Sequence, residues 1–109
     1  MSESFKVLGQ AAPSINTLTA LYTVPAATST TISSITICNS TSSTIKFRVS
    51  IAVANAADSL KQYIFYDVSI IKNNSIAATL GITLAATDVV KVYSDTANVA
   101  FNLFGVELT

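Results

Sequence analysis

Histidine and tryptophan are missing from this chain, cysteine occurs once, proline twice and glycine three times. Without histidine the commonest general base is gone, and with it the usual Ser and Cys triads and the commonest zinc ligand. Cys38 stands alone, so it supplies neither a metal cluster nor an intrachain disulfide, and nothing points to an oxidising compartment. Gly9, Gly81 and Gly105 lie far apart, which excludes a glycine-rich phosphate loop. Charge is scarce too: 11% of residues are charged, against about 25% in an ordinary soluble domain. The basic residues Lys6, Lys46, Arg48, Lys61, Lys72 and Lys91 are scattered and balanced by as many acidic ones, so no phosphate-binding patch forms and no nucleic-acid partner is expected. No apolar run approaches the roughly 20 residues of a membrane-spanning helix. The first residues lack the basic start and apolar stretch of a signal peptide, giving the expectation of a chain made in the cytoplasm and not exported.

Half of the 109 residues are apolar, enough for one core without a metal or disulfide to support it. Ser, Thr and Asn must provide most of the polar surface. A neutral, hydroxyl-rich exterior gives a free protein little colloidal protection and suits one packed against neighbours. A secreted or surface β-domain with a Thr-rich face is the alternative reading.

The dominant hydrophobic period is two. In residues 45–53, Ile45, Phe47, Val49, Ile51 and Val53 alternate with Lys46, Arg48 and Ser50, the mark of a strand with one buried face. Residues 76–84 repeat the pattern with Ile76, Ala78, Leu80, Ile82 and Leu84 inward. Residues 63–71 place Ile64, Tyr66, Val68 and Ile70 on one face. Weaker strands are read at 18–24, closed by Pro25, at 30–38, at 89–93 and at 99–108. In the second of these Ile32 is out of phase with Ile35 and Ile37, which predicts a bulge near Ser33 and Ser34. In the last, Val99, Phe101 and Leu103 give way to Phe104, Val106 and Leu108, which predicts a change of face beside Gly105.

Residues 39–43 read as a hairpin connection, residues 72–74, 85–88 and 94–98 as tight turns, and residues 55–59 as a longer loop with room for one helical turn. Strands at this spacing predict an all-β antiparallel sandwich, Ig-like or jelly-roll-like, of about seven or eight strands. Residues 1–14 read as an N-terminal arm or extra edge strand, residues 15–109 as the single sandwich domain.

Candidate chemistry is thin. Asp58, Asp67, Asp88, Asp95 and Glu107 are the carboxylates available for a hydrolytic pair or a calcium site. Asp88 and Asp95 sit at turns, where Asp bonds local amides, and Asp67 and Glu107 fall on outward strand positions. No catalytic residue, metal ligand or cofactor site is expected, and the chain reads as a non-enzyme. Cys38 reads as a small buried hydrophobe. Asn39 and Asn73 head glycosylation sequons that read better as turns. Tyr22, Tyr63, Tyr66 and Tyr93 are the aromatics open to sugar stacking, with Tyr63 and Tyr66 on opposite sides of one strand.

Four stretches, taken in order, resemble small structural proteins of tailed bacteriophages: residues 21–26 (Leu-Tyr-Thr-Val-Pro-Ala), 35–39 (Ile-Thr-Ile-Cys-Asn), 85–93 (Ala-Ala-Thr-Asp-Val-Val-Lys-Val-Tyr) and 101–107 (Phe-Asn-Leu-Phe-Gly-Val-Glu). The resemblance runs from about Leu18 to the end. It implies a β-sandwich virion component with no catalytic residue, homo-oligomeric and associated with other virion proteins. Tail, neck or fibre is favoured over capsid decoration (cement); a carbohydrate- or receptor-binding module is the reading from another class. Ser4, Phe5, Lys6, Val7 and Leu8, with weak alternation and few guarding charges, are the expected intersubunit contact.

Overall fold

A computed structural model describes residues 2–109. Eight strands are formed: β1 (Glu3–Ala11), β2 (Thr19–Thr23), β3 (Ser29–Asn39), β4 (Ile45–Ala52), β5 (Tyr63–Ile70), β6 (Ser75–Leu84), β7 (Val89–Ser94) and β8 (Val99–Leu108). They build two antiparallel four-stranded sheets, ordered β1-β8-β3-β6 and β2-β7-β4-β5. The order is that of a jelly roll, which decides between the two sandwich types left open by the sequence. β4 and β5 are joined within one sheet, across two short 3-10 turns, Val53–Asn55 and Leu60–Gln62. Every other connection passes from one sheet to the other. The 39–43 segment is therefore a crossover and not the hairpin expected, because a short polar turn satisfies the backbone equally well in either role.

Alternation explains the core. Ile45, Phe47 and Val49 of β4 are fully buried and meet Ile35 and Ile37 of β3, Val90 and Val92 of β7, and Val99, Phe101 and Leu103 of β8 in one cluster. The Phe47 ring stands edge-on to Phe101 at 6.2 Å and tilted to Phe65 at 5.7 Å, arrangements favoured by the ring quadrupoles.

Irregularities line up across the first sheet. β3 bulges at Ser33, as the phase of Ile32 requires, and the Ser33 hydroxyl donates to the Phe104 carbonyl. β1 shifts register at Leu8, opposite the same part of β8, and β6 shifts beside Gly81. At β8 the strand passes so close to β3 that a methyl on Gly105 would collide with the Thr31 carbonyl.

Three expected faces are corrected. β8 keeps one phase throughout: Val99, Phe101, Leu103 and Glu107 are buried, while Phe104, Val106 and Leu108 lie half-buried on the outer face. The neighbouring strands take up the irregularity, so Gly105 marks a close approach and not a change of face. In β5, Asp67 adopts a positive φ of 52° and an extra residue enters the ladder opposite Arg48. Phe65, Val68 and Ile70 consequently point inward, while Ile64 and Tyr66 are exposed. Cys38 is exposed, because it follows inward-facing Ile37 in an unbroken stretch of β3.

Candidate interaction surface

The segment Ser4 to Leu8 lies in β1 and pairs with β8 of its own sheet, Ser4 opposite Glu107, Phe5 opposite Val106, Lys6 opposite Gly105 and Val7 opposite Phe104. β1 is the edge strand of that sheet, with no strand hydrogen-bonded on its other side, although the Leu21 backbone of β2 packs closely on Gly9. Directly opposed residues of an antiparallel pair share a face. Phe5 and Val7 therefore stand beside Val106 and Phe104 on the outside of the sandwich, with Leu108 next in the row. Phe5 is 78% exposed and Val7 48%. Together these side chains make a contiguous apolar strip at a sheet edge. Sequence alternation alone does not reveal it, since Phe104, Val106 and Leu108 read as a change of face and not as a surface strip.

Lys6 and Leu8 of β1 face the gap between the sheets. Leu8 packs on the core cluster. The Lys6 ammonium contacts the Glu107 carboxylate at 2.7 Å. Glu107 also accepts a 2.6 Å hydrogen bond from the Tyr22 hydroxyl, which lies 2.8 Å from the Thr30 hydroxyl. Glu107, Tyr22 and Thr30 are all buried. The expected outward placement of Glu107 is thus wrong: a charge is tolerated inside because Lys6 and Tyr22 both satisfy it. Lys6 first, then Tyr22, hold the Glu107 carboxyl below its usual range. Burial, with the bond to Glu107, pushes the Tyr22 phenol up to about 12.

The outer face of the second sheet carries a different cluster. The Arg48 guanidinium lies 4.3 Å from the centre of the Tyr66 ring and 4.4 Å from that of Tyr93, and its Nε donates to Asp67 at 2.7 Å. Tyr63 meets Tyr66 edge-on at 5.0 Å, so the bulge brings together two tyrosines expected on opposite sides. Tyr63 and Tyr93 donate their hydroxyls to Asp58 and Asn16. Arg48 occupies ring surface on both Tyr66 and Tyr93 that a sugar would need for stacking. The cluster satisfies itself and ties β4 to both its neighbours.

Asp88 and Asp95 are engaged by backbone amides. Asp88 accepts from the amides of Ala85 and Ala54, each at 2.9 Å, and Asp95 from the amide of Lys46 at 3.0 Å. No group of three or more His, Cys, Asp or Glu side chains able to hold a metal occurs among the described residues. Asn39 is completely buried. Its amide nitrogen donates to the carbonyls of Ser43, Ile70 and Ile71, and its oxygen accepts from Thr41. That nitrogen is spent on the fold and is closed to a glycan in the folded chain.

No family model and no curated protein matches the chain. Among solved structures it is similar to a pentameric capsid protein isolated from metagenomic phage sequences, at 13% identity and a TM-score of 0.35. The match covers 95% of this chain and 64% of that one, so the chain spans less than two thirds of that protein's length. A superposition at that level leaves the function of this chain to its own residues.

Proposed function

We propose that this chain is a non-enzymatic structural subunit of a tailed-phage virion, present as many copies, in the tail, neck or fibre region. The observation that carries the reading is the apolar strip of Phe5, Val7, Phe104, Val106 and Leu108 beside an open sheet edge. A free monomer with few charges and no net charge is poorly protected against association through such a strip. The ordered resemblance at residues 21–26, 35–39, 85–93 and 101–107 supplies the setting. Jelly rolls serve in capsids and in lectins alike, so the fold does not choose between these roles. The surface favours the structural role: Arg48 stacks on Tyr66 and Tyr93, and Tyr63 and Tyr93 bond Asp58 and Asn16.

Quantitative mass spectrometry of purified particles tests the reading. Copy numbers in multiples of three or six support a tail or neck position. Hundreds of copies per particle would move the subunit to the head surface as decoration, and absence from the particle would end the reading.

A further inference from the structure

Resting on that reading, we infer that copies of this chain join edge to edge, β6 of one sheet pairing with β1 of the next. Four features of the first sheet converge on this contact. Its four strands alternate in direction, so the two edges β1 and β6 run antiparallel to each other. A second copy placed alongside in the same orientation therefore offers β1 to β6 in the antiparallel sense, with no inversion needed. The two edges also match in length, nine and ten residues, or about 30 Å each at the usual rise.

The third feature is the lack of protection on β6. Its sequence, Ser-Ile-Ala-Ala-Thr-Leu-Gly-Ile-Thr-Leu, contains no charge and no proline, two of the devices that ordinarily block pairing at an edge, and its one irregularity is the shift beside Gly81. The edges of the second sheet are poorer templates. β5 is broken by two register shifts, and β2 is five residues long with a shift of its own. The fourth feature is side-chain size. Rows of opposed residues run across the outer face as Phe5–Val106–Thr31–Thr83 and Val7–Phe104–Ser34–Thr79. Each row is large at the β1 end and small at the β6 end. Continuing a row into the next copy sets an exposed Phe or Val beside a Thr. Pairing β6 with a second β6 would set small against small and leave Phe5 bare. The irregularities near Leu8 and near Gly81 lie along the same band of the sheet, so the continued rows bring kink to kink. A contact of this type repeats head to tail and closes into a ring when the rotation between copies divides a full turn.

The test is cross-linking in the full chain with Cys38→Ser as background, Cys38 being exposed. One preparation carries Phe5→Cys or Val7→Cys, the other Ala77→Cys, Thr79→Cys or Thr83→Cys. Directly opposed residues lie about 4.5–5.5 Å apart between Cα atoms, within disulfide reach. The expected result is a disulfide dimer only after the two preparations are mixed. Thr79→Lys, placing a charge on the bare edge, should abolish the oligomer in size-exclusion light scattering with the melting temperature kept. Disulfides between two β6 variants would overturn the inference in favour of β6 self-pairing. An oligomer that persists with no β1–β6 cross-link, or a wild type that stays monomeric at millimolar concentration, would also overturn it. None of these results removes the chain from the virion, which the particle measurement decides separately.

Discussion

Tyr22 reaches across the sandwich, from β2 of one sheet to Glu107 and Thr30 of the other. The network gives the protein a pH dependence with a definite sign. The phenol is pushed up to about 12 in the folded state, against 10.0 ordinarily. The folded chain therefore holds that proton more tightly than the unfolded chain. The resulting stability is whole below pH 10 and is lost as the pH rises towards 12. At about 1.4 kcal/mol per unit, the loss is roughly 2–3 kcal/mol. Glu107 acts in the opposite sense: its carboxyl is held low, so its contribution is present above the ordinary carboxylate range and fades as acid protonates it. Tyr22→Phe should cost about 1–2 kcal/mol at neutral pH by leaving Glu107 and Thr30 short of a partner. It should also flatten the stability decline between pH 10 and 12. Urea denaturation of both forms across that range checks it; parallel declines would show that Tyr22 does not titrate as described.

At the scale of the strand, Gly105 fixes how closely β8 passes β3. An added methyl would meet the Thr31 carbonyl and the Ile32 Cα, both backbone atoms that cannot swing aside. Gly105→Ala should lower stability by about 2 kcal/mol or more, at the upper end of ordinary single substitutions. Gly81→Ala meets nothing within 4 Å and bears only the strain of its positive φ of 63°, about 1–2 kcal/mol. Thermal melts of the two variants, with Gly105→Ala the lower, would support this ranking; equal melts would place β8 further from β3. The same strands show what could be read from residues alone. β4 is legible from Ile45 to Val49, but the strand ends at Ala52, so Val53, expected inward, lies exposed in the first 3-10 turn, and Ser50, expected outward, is buried. β6 is legible in its faces, though not in the register shift beside Gly81. β3 was legible because Ile32 is visibly out of step. β5 was misread because the extra residue is Asp67, a type that tolerates positive φ without announcing it. β8 was misread because Phe104, Val106 and Leu108 look like core, and Glu107 looks like surface, until Lys6 and Tyr22 are placed around it. The apolar strip was hidden by the same assignment, although Ser4 to Leu8 already stood out at one end of it. Which turns cross between sheets has no local signature, since Asn and Asp serve both kinds of connection.

The molecule as a whole is unevenly finished. One face is locked by Arg48 between Tyr66 and Tyr93, with Asp67 fixing the guanidinium from the side. The opposite face ends in bare apolar side chains at one edge and an unguarded strand at the other. The asymmetry belongs to the surface and to what the surface meets. A chain with twelve charged side chains, six of each sign, has little electrostatic means of steering or refusing partners. Shape and edge pairing are left to decide which neighbours fit.

The two ends of the chain also meet: Ser2 and Thr109 exchange backbone hydrogen bonds of 2.7 and 2.9 Å, and β1 runs beside β8. That pair closes a loop of about 100 residues, whose entropy must be surrendered before the contact returns anything. Refolding should accordingly be slow for so small a protein, with β1 docking late. A circular permutant, joined by a short Gly-Ser linker between Thr109 and Ser2 and opened in the exposed 56–59 loop, turns β8 and β1 into a local hairpin. It should keep the native fold and refold several-fold faster in stopped-flow, while its unfolding rate changes little. An unchanged refolding rate would mean that the barrier lies elsewhere, in the crossings between sheets.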